Sequence, residues 1–199
     1  MANLISLSRI LITFLSLYFL FQETTEALII AVVLIVLQFA LDGVDGYVAR
    51  KLHETSKLGA VLDIMGDRIA ENAYWISFAI LGWLTPPFPL IVLTRSIVVD
   101  SLRSVALEQG RTPFGKRSMQ KDPIGQFICC SKFMRILYAV AKAITFVFLT
   151  IAYIPTLDIN YSYAIEYVGC IAAIISVMLC VLRGLPVMFE SKRFFRKKK

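Results

Sequence analysis

Asp42-Gly43-Val44-Asp45-Gly46-Tyr47-Val48-Ala49-Arg50 and, after a short connection, Gly59-Ala60-Val61-Leu62-Asp63-Ile64-Met65-Gly66-Asp67 are the stretches on which the reading of this chain turns. The first closes an apolar run over residues 27–41, and the second opens another over 58–82. Asp42 and Asp45 are three residues apart and Asp63 and Asp67 four apart, so on helices each pair lies on a single face. Two adjacent antiparallel helices can therefore point four carboxylates at one spot.

Carboxylates crowded in a low-dielectric site repel one another and resist ionisation unless countercharge is supplied. Bound cations are the natural supply. Ligands that are all oxygen, with no cysteine or ligating histidine nearby, favour Mg²⁺ or Mn²⁺ over zinc or copper; the lone His53 lies in the loop between charged neighbours and reads as solvated. Four negative charges match two divalent ions, an arrangement that clamps the attacking and leaving oxygens of a phosphate displacement, although one ion stays open. Gly43, Gly46, Gly59 and Gly66 each cost a helix interior about 1 kcal/mol relative to alanine, so something must approach those backbones closely. Arg50, two turns beyond Asp42, can pair bidentately with a phosphate held there. The bland alternative is that the glycines let helices pack in a membrane; it leaves the aspartates and Arg50 unexplained.

Outward from this centre the chain is apolar. Its 199 residues are 58% hydrophobic, with mean hydropathy +0.72, against roughly 45–50% apolar residues in soluble domains. A spanning helix takes about 20 residues, and six apolar stretches, residues 4–21, 27–41, 58–82, 89–107, 133–153 and 164–182, use nearly the whole chain. An all-α polytopic membrane protein with six transmembrane helices is expected, as a single domain over 1–199. The net charge of +7 does not point to nucleic acid, because its placement follows the connections. Residues 22–26, 85–89 and 155–162 contain no Lys or Arg, whereas Arg50, Lys51 and Lys57, then Arg111, Lys116, Arg117 and Lys121, then the tail over 190–199 are basic. The positive-inside rule puts both termini in the cytoplasm. Phe189, Phe194 and Phe195 among the tail's charges read as an anchor to anionic lipid headgroups.

The first stretch lacks a basic start, carries Arg9 within its own first turns and has no small-residue cleavage pattern, so it reads as a retained helix rather than a signal peptide. Cys129, Cys130, Cys170 and Cys180 have no metal-type spacing and read as reduced and structural. The longest polar connection, about residues 108–132, holds Gly110, Pro113, Gly115, Pro123 and Gly125, a density of breakers expected of a structured or mobile cytoplasmic loop beside the site.

The pattern Asp42-x2-Asp45-Gly46-x2-Ala49-Arg50-x8-Gly59-x3-Asp63-x3-Asp67 resembles, without a gap, the signature of the CDP-alcohol phosphotransferase family. Asn3-Leu4-Ile5-Ser6-Leu7-Ser8-Arg9 is similar to the family's N-L-L-T-L-x-R start, with Ser6 in place of the usual threonine. The resemblance implies displacement of CMP from a CDP-linked lipid, CDP-diacylglycerol, by the hydroxyl of a second alcohol. It assigns metal binding to Asp42, Asp45, Asp63 and Asp67, with Asp67 also the candidate general base. Asn3, Ser6, Gly46, Ala49, Arg50, Ser56 and Gly59 match positions that it gives to the CDP-lipid. The chemistry agrees independently, since an alcohol is a weak nucleophile and a carboxylate that takes its proton helps. Members of the family are often dimers, and a homodimer is compatible with these spans; a bacterial plasma membrane, with the site facing the cytoplasm, is the expected location.

A positive pocket would suit an acceptor that itself carries a phosphate, and Arg95, Arg103, Arg111, Lys132 and Arg135 are its candidate residues. Arg95-x7-Arg103 is similar to the R-E-x5-L-R stretch of phosphatidylglycerophosphate synthases, with Ser96 in place of glutamate, which makes glycerol 3-phosphate the first expectation. Asp67-Arg68 is closer to inositol-type members, so inositol phosphate is the alternative. About half of these arginines need do no more than snorkel to the interface. Membrane prenyltransferases also set aspartates and Mg²⁺ against a diphosphate, but they need two separated acidic motifs and more spans. A divalent-cation transporter would use the aspartates as a transit site, and would leave Arg50 and the glycines without a role.

Overall fold

Chains this apolar can satisfy their backbone groups away from water only within helices or closed barrels. The computed structural model describes residues 2–52, 57–108 and 123–195. Among them are seven helices and no strand: α1 (Ala2–Leu20), α2 (Thr25–Leu52), α3 (Lys57–Ile80), α4 (Pro87–Glu108), α5 (Pro123–Cys130), α6 (Lys132–Ala152) and α7 (Ile159–Phe195).

Their ends follow from local chemistry. Thr24 caps α2, its hydroxyl accepting from the Ala27 amide at 3.4 Å, and Ser131 and Asp158 accept likewise from Met134 and Asn160 ahead of α6 and α7. α3 stops at Gly82, whose φ of 76° is easy for glycine alone. There the Trp83 amide reaches back to Phe78 O at 2.9 Å and the Gly82 amide to Ala79 O at 3.2 Å, the double bond of a Schellman stop. α5 lies within the connection read from its breakers as a loop: Pro123 stands at the first helical position, where the missing amide costs nothing.

Beside an apolar interior, the outer faces are also apolar and several polar groups are buried. Leu11, Phe14, Tyr18, Val33, Ile80 and Met178 face outward, whereas Arg9, Thr13, Ser16, Gln38, Arg95, Thr145 and Ser176 are buried. Lipid as the solvent explains both halves of this, because apolar faces then need no cover and polar groups seek partners inside. Among the described residues three helical segments are long and apolar enough to cross a membrane: Thr25–Asp42, Lys132–Ala152 and Ile159–Ser191. The apolar part of α1, Leu7–Leu20, is shorter, while α3 and α4 have the length but are diluted by Asp63, Asp67, Arg68 and Glu71 and by Arg95, Asp100 and Arg103. α7 runs 37 residues, about 55 Å at the helical rise, against a hydrocarbon core of about 30 Å. Part of it must leave the core, and the start of the basic tail is accordingly helix.

Two compact units share the chain, Met1–Pro86 with Ala143–Ala172, and Pro87–Lys142 with Ala173–Lys199. In the first, α1 packs against α2 and α3, and Phe146 of α6 gathers the rings of Tyr74, Trp75 and Phe78 at centroid distances of 5.1, 5.3 and 5.4 Å. Trp83 stacks on Tyr153 at 4.6 Å. In the second, Val99 and Ala106 of α4, Cys129 of α5 and Val187 of α7 form a small core.

Candidate active site

The register of the first three helices is set by a buried polar seam. Arg9, Thr13 and Ser16 recur at four- and three-residue spacing on α1, so they share one face. Ser16 Oγ meets Tyr74 Oη at 2.5 Å, and Tyr74 donates on to Gln38 Oε1 at 2.7 Å. One end of the seam is Arg9, whose Nη2 lies 2.5 Å from Asp67 Oδ1 and 2.6 Å from Asp42 Oδ1. Arg9 to Asp67 and Ser16 to Tyr74 are separated by the same 58 residues, so α1 and α3 run parallel in fixed register. α2 runs against both, since Gln38 precedes Asp42 while Tyr74 follows Asp67.

A single nitrogen thus touches carboxylates from two helices, and their oxygens are no farther apart than the sum of those two contacts. The Arg9 side chain is 6% exposed, against 42% for Asp42 and 50% for Asp67, so the cation lies beneath and the acidic pair opens outward. One turn on from Asp67, Glu71 is buried and accepts from Arg68 Nη1 at 3.2 Å. Oxygen donors on two helices with an open outer side fit a hard divalent ion. Among the described residues no group of three or more acidic, histidine or cysteine side chains comes together. Asp45 and Asp63 stand on helical backbone in α2 and α3, as do Asn3, Ser6, Gly46, Ala49 and Arg50; the side chains of these seven lie outside the described structure. Ser56 and Arg111 lie outside the described residues altogether. Gly59 is in the first turn of α3.

The second unit carries the candidate cations. Arg95 is buried at 6% exposure and donates through Nε to Cys180 O of α7 at 3.1 Å. Gly184 makes room for it: a Cβ there would stand 3.1 Å from Arg95 Cγ and 3.2 Å from Nε. Arg95 and Thr94 line a cavity of about 330 Å³ whose other walls are Leu90, Ile91, Val181, Leu185 and Met188. Arg103 pairs within its own helix with Asp100 at 3.8 Å, and Lys132 is exposed at the start of α6.

Sequence reasoning passed over Arg183. Its guanidinium lies 5.4 Å from the centroid of the Tyr138 ring, with Arg95 and Arg135 as charged neighbours, and its Nε finds no acceptor among the described residues. The neighbouring backbone is equally specialised, for Cys129 Sγ donates to Arg183 O at 3.0 Å and Pro186 removes the amide that would close the helix onto residue 182. A charge between an apolar run and a helix-internal proline was the available signal for Arg183, as a charge inside an apolar helix was for Arg9.

The match to known proteins decides the family. The model of the CDP-alcohol phosphatidyltransferase family matches residues 1–182. This chain belongs to that family. A CDP-alcohol phosphatidyltransferase relative from Aquifex aeolicus, CDP-diacylglycerol–glycerol-3-phosphate 3-phosphatidyltransferase, is 30% identical over 99 residues, 49% of this chain and 54% of its own length. The CDP-diacylglycerol–inositol 3-phosphatidyltransferase of Schizosaccharomyces pombe is 37% identical over 98 residues, 49% of this chain and 37% of that one. The archaetidylinositol phosphate synthase of Aeropyrum pernix is 33% identical over 91 residues, 46% of each. The chain spans about half the length of the curated relatives it matches, or less.

Proposed function

We propose that this chain is a membrane enzyme of phospholipid biosynthesis that transfers a phosphatidyl group from CDP-diacylglycerol to glycerol 3-phosphate and releases CMP. The observation that carries the reading is the convergence of Asp42 and Asp67, from α2 and α3, on one cationic point in a chain of this family. Asp42, Asp45, Asp63 and Asp67 would hold Mg²⁺ or Mn²⁺, two ions matching four charges, and the metal would neutralise charge growing on the departing CMP.

The chain's own side chains supply the rest. Asp67, half exposed, accepts the proton of the attacking hydroxyl. Arg50 forks onto a phosphate of the donor, with Asn3, Ser6, Gly46, Ala49, Ser56 and Gly59 around the cytidine diphosphate. The acceptor's own phosphate is held by cations from Arg95, Arg103, Arg111, Lys132 and Arg135, to which Arg183 is added. Arg183 fits this role better than Arg95, whose Nε is tied to a helix carbonyl, or Arg103, which pairs with Asp100. The protein works as one domain of six spans, with the site and both termini facing the cytoplasm of a bacterial plasma membrane, the basic tail on anionic lipid, and a homodimer as its assembly.

An inositol phosphate acceptor is the second reading, favoured by the relatives from S. pombe and A. pernix. Arg68 bears on that choice: the Asp67-Arg68 pair is of the inositol type, yet Arg68 bonds Glu71 of its own helix. The deciding experiment is CMP release in detergent from CDP-diacylglycerol with Mn²⁺ or Mg²⁺ and a panel of acceptors. Turnover with glycerol 3-phosphate well above that with inositol phosphate is expected; the reverse selects the second reading. No CMP with any acceptor would favour a cation transporter.

A further inference from the structure

We propose that Arg9 is the built-in countercation of the aspartate site, a guanidinium that holds Asp42 and Asp67 together and competes with a divalent ion for them. The inference rests on the metal-dependent reading above and adds a role for a residue outside the acidic signature.

Burial comes first in the argument. A guanidinium inside an apolar helix is expensive, by roughly 2.5–3.5 kcal/mol on insertion scales, and persists where it has partners or a function. Arg9 is 6% exposed, and its Nη2 contacts carboxylates from both other helices of the seam. Removing it would leave Asp42 and Asp67 facing each other across a gap with one fewer positive charge, so their mutual repulsion would push the two helices apart.

Position is the second step. Nη2 contacts one oxygen of each aspartate at 2.5–2.6 Å, whereas Mg²⁺ binds carboxylate oxygen at about 2.0–2.1 Å. A cation bridging those same two oxygens would need the space that the nitrogen fills. Both cannot sit there. Arg9 therefore ties α2 and α3 together through these carboxylates, and competes with the ion for the same lone pairs.

The test is Mn²⁺ binding to the purified full chain in lipid nanodiscs, read as loss of the free-ion paramagnetic resonance signal, in wild type, Arg9→Met and Arg9→Lys. Both variants should bind Mn²⁺ about tenfold tighter, the scale set by losing a charge-assisted competitor. In chelator both should unfold at lower temperature than wild type, and added Mn²⁺ should restore the difference. Lysine is the discriminating variant, because it keeps the charge but, on a shorter stem, cannot set its nitrogen between both carboxylates in the same way. Tighter binding in Arg9→Met with no change in Arg9→Lys would make Arg9 a fixed background charge and overturn the proposal, as would weaker binding in either. If Arg9→Met does not fold, Arg9→Lys decides alone by the same criterion. Wild type that binds no Mn²⁺ would sink the metal reading itself, a result distinct from binding that is indifferent to Arg9.

Discussion

Arg9 in the first unit and Arg183 in the second are both guanidiniums on apolar helices, and they are settled by opposite means. Arg9 rests against two carboxylates. Arg183 rests against the face of Tyr138, beside Arg95 and Arg135, and among the described residues neither it nor Arg95 lies within ion-pair distance of a carboxylate. Around Arg9 two carboxylates share one guanidinium, whereas the charged neighbours of Arg183 are themselves arginines. Added positive charge would complete the first arrangement and an anion the second.

The sharpest way to break the comparison is at its acidic side. Asp67→Asn keeps the size and removes both charge and basicity, so turnover should fall by about 10²–10⁴, the range for loss of a general base, while CDP-diacylglycerol still binds. Equilibrium binding of the donor and single-turnover CMP release measure the two separately. Near-normal turnover would remove Asp67 as the base and leave the acidic pair a structural role.

Next in size is a change that should spare the chemistry of both units. Phe146→Ala removes the ring that Tyr74, Trp75 and Phe78 enclose, and truncation of a buried phenylalanine costs about 3–5 kcal/mol. Thermal unfolding in detergent should show the loss, with acceptor preference unchanged in the fraction that remains folded. Altered preference would mean that the aromatic core shapes selectivity as well as stability.

On the basic side, Arg183→Gln should raise the KM for the phosphorylated acceptor about tenfold, the scale of one charge-assisted contact, and leave the KM for CDP-diacylglycerol within about twofold. Arg95→Ala should raise it less, because part of its guanidinium is bound to Cys180 O. Equal effects on both substrates would assign these arginines to folding. Initial rates with each substrate varied at saturation of the other make the distinction.

How much of this was legible beforehand depends on the range of the interactions. Helix positions were readable because apolar runs and local caps such as Thr24 and Gly82 act within a few residues. That Asp42 and Asp45, and Asp63 and Asp67, each share a helix face was readable because spacing and helical period are both local facts. α5 was hidden by the weight given to Pro123 and Gly125 as breakers, although proline at a first turn starts a helix as readily as it ends one. Arg9 was visible as a charge in an apolar span, but its partners are 33 and 58 residues away, and only packing shows which long-range pairs form. Arg183 stayed obscure for the same reason, since nothing in its neighbourhood along the chain announces Tyr138.

The smallest expected effect concerns the seam that sets the register of the first unit. Tyr74→Phe removes a hydroxyl bonded to both Ser16 and Gln38 and keeps the ring against Phe146. Hydrogen bonds between membrane helices average about 0.6 kcal/mol, because the separated helices also find partners, so the loss should be about 1 kcal/mol for the two together. A double-mutant cycle with Ser16→Ala isolates one of them, and a coupling of about 0.6 kcal/mol is expected. That energy is small beside the aromatic core, yet the hydroxyl lies on the same faces of α1, α2 and α3 as Arg9, Asp42 and Asp67. If the seam holds the carboxylates in place, Tyr74→Phe should also weaken Mn²⁺ binding about twofold to threefold, in keeping with so modest a coupling. Loss of stability with unchanged Mn²⁺ affinity would mean that the acidic pair keeps its geometry through Arg9 and the helix packing alone.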